Sequence, residues 1–269
     1  MKKKLYGNNV LITGASSGIG KAASELFAEK GYTVYAVSRS CDEKKIKYES
    51  GGSINTVPAD VTDLQSLKAL FLKIHSLDIV IHCAGYGVSG SIEYMPLEDA
   101  HKQLETNYFG VMNVNSLALP LLRKNKNSLV LITSSVAGLI PIPFQSHYSS
   151  SKYALEAYGE ALRMEAKSYG VNVCLVEPGD TKTGFTKARK NNEPEFSPYY
   201  KKCIKAVSKM EKDEQNGKDP KTVAKVFYLL TKKKNPKVRT AVGIEYKILC
   251  FLSRVMPVKI KEYILTKLY

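Results

Sequence analysis

Tyr148 and Lys152 stand four residues apart, the spacing that puts two side chains on one face of a helix. A free phenol has a pKa of about 10, too high for ready proton exchange at neutral pH. A cation held within about 4–6 Å favours the phenolate and lowers that value by one to three units. The pair is therefore a candidate proton-transfer device. Spacing alone does not select it, because the chain has 17 tyrosines and Tyr228/Lys232 and Tyr263/Lys267 repeat the interval. Context does. Only Tyr148 follows a hydroxyl-bearing strand end, Ser135 after Leu129-Val130-Leu131-Ile132-Thr133, in a chain that opens with the glycine loop Thr13-Gly14-Ala15-Ser16-Ser17-Gly18-Ile19-Gly20.

Gly14, Gly18 and Gly20 form Gly-x-x-x-Gly-x-Gly between a first apolar run and a helix-forming stretch. Glycines there allow a tight turn and let a pyrophosphate approach without a Cβ in its way. A helix starting near Gly18 aims free N–H groups and its positive dipole end at the phosphates, with Ile19 in its first turn and Ser16 and Ser17 as hydroxyl donors. The second run ends Val37-Ser38-Arg39-Ser40. An NAD site carries a carboxylate at this place for the ribose hydroxyls. Here Ser38 leaves room and Arg39 offers a planar cationic fork suited to a 2′-phosphate, so NADP(H) is expected over NAD(H), against a merely solvated Arg39. Asp60-Val61 follow the third run, where Asp60 either accepts from the adenine amino group or caps the next helix. Ala84-Gly85 follow the fourth, where small residues let the backbone flank a cofactor.

These residues need a scaffold, and the rest of the chain describes one. Short β-branched runs alternate with amphipathic stretches, the pattern of a parallel sheet covered by helices on both faces. Seven strands are expected: Val10–Thr13, Thr33–Ser38, Ile54–Pro58, Ile79–Cys83, Leu129–Thr133, Val171–Val176 and one near Val238–Val242. Helices are expected over Lys21–Lys30, Leu64–Ile74, Leu97–Lys124, His147–Tyr169 and Thr222–Thr231. The fold class is a single doubly wound α/β Rossmann domain over residues 1–269, mostly parallel and seven-stranded. A length of 269 residues and an apolar fraction of 44% suit one such core.

Two segments break the rhythm. Residues from about 180 to 198 are polar, basic and rich in loop formers just beyond a strand's C-terminal end, where ligands bind in open α/β sheets; a mobile substrate lid is expected there. The tail from about 245 to 269 mixes Ile248-Leu249-Cys250-Phe251-Leu252, Val255 and Ile260 with lysines. It reads as two short helices broken at Pro257, either packing on the domain or walling the substrate pocket, or resting peripherally on an anionic membrane. The run after Met1-Lys2-Lys3-Lys4 is too short for an export core and reads as the first strand.

Five scattered cysteines indicate reduced thiols in a cytoplasmic setting, neither a disulfide framework nor a metal site. Net charge is +15. Without basic runs interleaved with stacking aromatics, it points to a lysine-rich surface, anionic substrates or anionic lipid, and not to nucleic acid. His75, His82, His101 and His147 form no ligand-spaced cluster and are expected to be packed or solvated.

Together these residues resemble the short-chain dehydrogenases/reductases over nearly the full length. Thr13–Gly20 matches the cofactor loop, Asn107 the asparagine of the long fourth helix, Ser135 the catalytic serine 13 positions before the tyrosine, and Tyr148/Lys152 the signature pair. Pro178-Gly179 with Thr181 and Thr183 resembles the segment flanking the nicotinamide. Ser134–Gly138, Pro141 and Pro143-Phe144 look most like the 17β-hydroxysteroid and retinol dehydrogenase branch. One departure is Cys83-Ala84-Gly85 where the family has Asn-Ala-Gly, expected to be a structural adjustment.

The resemblance implies a carbonyl/alcohol oxidoreductase whose cofactor carries the hydride. Tyr148 exchanges the proton, Lys152 lowers the phenol's pKa and holds the nicotinamide ribose, Ser135 hydrogen-bonds the substrate oxygen, and Asn107 holds the helix and a water. It implies a homodimer or homotetramer built on the Leu97–Lys124 and His147–Tyr169 helices, and a lipophilic steroid-like or retinoid-like substrate contacting Ser135, Phe144, Tyr148 and Phe185, with Val88 nearby. A non-catalytic NADP(H)-binding sensor or scaffold is the alternative, though it would need only the glycine loop and Arg39.

Overall fold

The computed structural model describes residues 4–268; Met1–Lys3, and Tyr269 at the end of the expected tail, lie outside the described residues. Strands are β1 (Asn9–Thr13), β2 (Thr33–Ser38), β3 (Lys44–Lys47), β4 (Ser53–Pro58), β5 (Ile79–His82), β6 (Val88–Ser89), β7 (Ser128–Thr133), β8 (Val171–Pro178), β9 (Lys190–Asn191) and β10 (Arg239–Val242). Helices are α1 (Gly18–Glu29), α2 (Leu64–Leu72), α3 (Leu97–Leu104), α4 (Gly110–Leu122), α5 (Ser146–Ala166), α6 (Phe185–Ala188), α7 (Tyr200–Gln215), α8 (Pro220–Leu230), α9 (Ile244–Val255) and α10 (Val258–Leu268).

The main sheet runs β10-β8-β7-β5-β1-β2-β4-β3, parallel throughout except for β3 against β4. Successive side chains on a strand point to opposite faces, and both faces are apolar. Val10, Ile12, Ile79, Ile81, Leu129 and Leu131 face α1 and α8 around Phe27 and Phe227. Leu11, Val80, Val130 and Ile132 face α2, α4 and α5 around Leu67, Leu122 and Leu155. This double burial explains the near-continuous apolar runs of β5 and β7.

The seven expected strands are present, and the class stands. The count is corrected by an eighth, β3, whose Lys44-Lys45-Ile46-Lys47 is exposed throughout. A lysine-rich edge strand buries nothing, so it leaves no apolar pattern, and its charges discourage edge-to-edge pairing. β6 and β9 form a separate two-stranded sheet. The single helix expected over Leu97–Lys124 is divided by a π-helical turn at Glu105–Phe109. α7 was not anticipated; its buried stripe Cys203, Ala206, Val207 and Met210 is at helical spacing but embedded in lysines. The tail forms two helices with the break at Pro257.

From β1 the chain winds outward through β2 and β4, then returns to build β5, β7, β8 and β10 on the other side. The reversal between β1 and β5 leaves a crevice at the C-terminal strand ends, where ligands bind in such sheets. The glycine loop opens onto it.

Candidate active site

At the end of β1, the Thr13 hydroxyl oxygen accepts from the amides of Cys83 and Ala84, at 3.2 and 3.3 Å, and draws the exit of β5 close. The loop then turns at Gly14 in the left-handed region (φ +65°), where a Cβ would lie 2.7 Å from the Ala84 amide. A Cβ on Gly20 would lie 2.3 Å from the Gly14 carbonyl oxygen. α1 starts behind Ser17 with no side-chain cap, so its first-turn N–H groups are left to a ligand. Gly14, Ser16, Ser17, Gly18, Ile19 and Gly20 line one cleft with Arg39, Asp60, Val61, Ala84, Gly85 and Thr183. This glycine cradle and uncapped helix start fit a dinucleotide. Of Asp60's two readings, the helix cap belongs instead to Asp63, which accepts from Gln65 N. Asp60 lines the cleft, its Oδ1 accepting from the Thr62 amide and hydroxyl. Arg39 is exposed at the end of β2.

A second cavity of about 320 Å³ adjoins the first and contains Ser135, Tyr148, Lys152, Pro178, Gly179, Thr181, Thr183 and Phe185. Tyr148 and Lys152 share one face of α5, with the Lys152 Nζ 5.6 Å from the phenol ring centre. Lys152 donates to the Thr133 carbonyl at 3.0 Å. Burial lowers this ammonium to about 8, while Cys83 and Glu156 resist the shift. Burial likewise pushes the Tyr148 phenol up to about 12; Ser135's hydrogen bond and Arg189 pull down, and Glu214 pushes up. The expected lowering by Lys152 does not appear among the groups acting on the phenol; desolvation dominates, and the phenol stays protonated at neutral pH. Ser135 opens a short 3₁₀ turn, its Oγ accepting from the Ala137 amide at 3.1 Å, while the neighbouring Ser134 amide bonds Val176 O.

Asn107 lies in the π-helical turn and lines neither cavity. Its Oδ1 accepts from the Tyr86 amide, and its Nδ2 donates to the Tyr86 carbonyl and to Ser151 Oγ, at 3.0, 3.0 and 3.1 Å. It pins the loop after β5 to α5. A Cβ on Gly85 would come within 3.1 Å of Asn107 Oδ1 and 4.0 Å of Lys152 Nζ, so a side chain there would crowd Asn107. Cys83 bridges β5 to β7 through Thr133 Oγ1 at 3.4 Å, its thiol pushed up to about 12 by burial and hence neutral. His82 is buried against Asn115 Oδ1 at 2.9 Å.

Phe144 is not among the residues lining either cavity. Its backbone is left-handed (φ +61°) and its carbonyl accepts from the Gly90 amide at 2.9 Å. Val88 is buried with Met95 and Ala100. Phe185 does reach the site, edge-on to Tyr148 with ring centres 5.5 Å apart. Sequence reasoning missed Tyr246, whose ring covers Gly179; a Cβ there would lie 2.1 Å from it. The Tyr246 hydroxyl accepts from the Asp180 amide and donates to Asp180 Oδ2 at 2.7 Å. Leu249 and Leu268 also line the cavity, so the tail walls the pocket, while Asp213 and Glu214 bring carboxylates from α7. A tail that walls the pocket is one of its expected arrangements; the ring over Gly179 left no signal in the sequence.

The segment between 180 and 198 folds as α6 and β9, tied down by Arg189 to Glu214 and by Lys190 to Asp99. The Glu193 carboxylate receives the Ser91 amide and hydroxyl.

A model of the short chain dehydrogenase family matches residues 8–194. A 3-ketodihydrosphingosine reductase of Bacteroides thetaiotaomicron is 35% identical over 97% of each chain. A probable short-chain type dehydrogenase/reductase of Helicobacter pylori is 38% identical over 92% of each. An NADPH-dependent 3-dehydrocapnine reductase of Ornithobacterium rhinotracheale is 34% identical over 75% of this chain and 77% of its own. A short-chain dehydrogenase structure from Streptomyces avermitilis superposes with a TM-score of 0.79 at 23% identity, over 97% of this chain and 96% of that one. The chain belongs to the short-chain dehydrogenase/reductase family, a family of oxidoreductases that bind nicotinamide dinucleotides.

Proposed function

We propose that this protein is an NADPH-dependent reductase that converts a lipophilic ketone to its secondary alcohol. The observation that carries the reading is geometric: Tyr148, Ser135 and Lys152 line one cavity that adjoins the dinucleotide cleft. A phenol that burial keeps protonated can donate that proton to a ketone oxygen. Bound NADPH would supply the hydride. Ser135 orients the ketone oxygen and donates to it as negative charge develops. Tyr148 gives that oxygen its proton, and Lys152, cationic below about 8, stabilises the phenolate left behind. Asn107 acts one layer back by holding the loop between cofactor and α5. The polar segment around 180–198 serves as the lid.

Arg39 at the cleft rim, where an NAD site would place an acid, supports NADPH, as does the NADPH-dependent relative. One relative is named a 3-ketodihydrosphingosine reductase, which favours a long-chain ketone over the steroid-like or retinoid-like substrate that the branch resemblance implied. The enzyme works as a homodimer or homotetramer on the cytoplasmic side, peripheral to a membrane. The test is turnover of NADPH and of NADH with 3-ketodihydrosphingosine, a 17-ketosteroid and retinal. Consumption with the long-chain ketone and NADPH is expected. Turnover confined to the steroid or retinal, or equal use of NADH, would overturn the corresponding part, and tight NADPH binding without any turnover would favour the sensor.

A further inference from the structure

An amphipathic helix normally turns its apolar stripe to the core. The tail does the opposite. Ile248, Phe251, Leu252 and Val255 recur at the i, i+3, i+4, i+7 spacing of one α9 face, and all four are exposed, Phe251 and Val255 by 64% and 61%. On α10, Val258, Ile260, Tyr263 and Ile264 are exposed as well, and no α10 residue is fully buried. α9 buries only Cys250. Two helices are thus held in place while their main apolar surface faces water, a patch that calls for a partner.

The charges bordering that surface select the partner. Residues 244–268 carry Lys247, Arg254, Lys259, Lys261 and Lys267 against Glu245 and Glu262, on a chain of net charge +15. A second copy of the chain would bring like charges together, whereas an anionic bilayer would neutralise them. No helix among the described residues is long and apolar enough to cross a membrane, so the mode open to these helices is to lie in the interface.

The inner side of the tail gives the surface a purpose. Leu249 and Leu268 line the catalytic cavity, and α10 covers a trough of about 500 Å³ with Pro141, Pro143 and Tyr153 on its other wall. Ile142 lines both the trough and the cavity, so its side chain stands at the boundary the two share. We infer that α9 and α10 dock the protein on an anionic membrane surface and that the trough beneath α10 admits the hydrocarbon chain of a lipid ketone from that surface. The admission step rests on the reductase reading; the docking does not.

The full chain is mixed with phosphatidylcholine vesicles, with and without phosphatidylglycerol, and sedimented, alongside a Phe251→Glu/Val255→Glu variant checked for an unchanged circular dichroism spectrum. Both substituted side chains are exposed and lie outside the cavity lining. Wild type should sediment with the phosphatidylglycerol vesicles, less so as salt rises, and the variant's partitioning should fall at least roughly tenfold. The variant should reduce a water-soluble short-chain ketone as wild type does but lose turnover of a vesicle-borne long-chain ketone. Wild type that stays in the supernatant, a variant that sediments equally well, or a wild-type dimer that the substitutions split without any vesicle binding would each overturn the docking. Vesicle binding with no turnover of any ketone by either protein would uphold the docking and overturn the admission step together with the reductase reading.

Discussion

Lys152 should destabilise the protein it serves. It is 5% exposed, and its ammonium is lowered from 10.5 to about 8, chiefly by burial. Each pKa unit corresponds to about 1.4 kcal/mol, so holding the charge in the native state costs roughly 3 kcal/mol below pH 8. Lys152→Met removes that cost but leaves the Thr133 carbonyl without its donor, a loss of about 1–2 kcal/mol. With no nucleotide present the variant should therefore be more stable at pH 7 by about 1–2 kcal/mol, or roughly 2–6 °C in Tm. The sign must change with pH. Between about 8 and 10.5 the native amine is neutral while the unfolded chain still binds a proton, so the wild type gains on the variant as pH rises through that window. Near pH 10 the Met variant should melt below the wild type. Thermal unfolding of both proteins at pH 7 and near pH 10 tests this. A variant less stable at pH 7, or a difference that does not move with pH, would refute the desolvation account.

Other consequences follow from the same contacts. Arg39→Ala should raise the KM for NADPH roughly ten- to hundredfold and leave that for NADH unchanged, since a hydrogen bond to a charged group is worth about 1.5–3 kcal/mol; an equal rise in both would remove the 2′-phosphate role. The kcat for ketone reduction should be level below pH 7 and decline through about 8 as Lys152 loses its charge, and a profile level to pH 10 would contradict that role. Gly179→Ala should push Tyr246 aside, because its Cβ would lie 2.1 Å from the ring; the expected loss is about 1–3 kcal/mol by thermal melting, and a wild-type Tm would show that the tail is not packed there. Asn107→Ala would leave the Tyr86 amide without its acceptor and the Tyr86 carbonyl with Gln103 Nε2 alone, lowering Tm and NADPH affinity together, while intact affinity would argue against a positioning role.

The parts of the fold read from sequence were those whose burial leaves a pattern. β5 and β7 are packed on both faces and appear as unbroken apolar runs; Tyr148 and Lys152 were paired by helical spacing, and Ser135 was assigned through the family resemblance. β3 left no trace because an exposed edge of lysines buries nothing. α7 was hidden because four buried residues among lysines and glutamates make a weak stripe. The π-helical turn that carries Asn107 is a local departure from the helical hydrogen-bond ladder that side-chain periodicity does not record. Tyr246 is 98 residues beyond Tyr148 in sequence, and only the return of the chain through β10 brings it over Gly179. Phe144 is near Tyr148 in sequence, yet it is not among the residues lining either cavity, and its backbone is left-handed.

The measurement closest to the central claim is NADPH oxidation with 3-ketodihydrosphingosine as the ketone, followed by loss of reduced-nicotinamide absorbance, for wild type and Tyr148→Phe together with NADPH affinity for both. The structure predicts turnover in the wild type that falls by about 10²–10⁴-fold when the phenol's proton is removed, with NADPH affinity unchanged. Turnover in Tyr148→Phe close to that of the wild type would contradict proton donation by Tyr148 and the mechanism built on it.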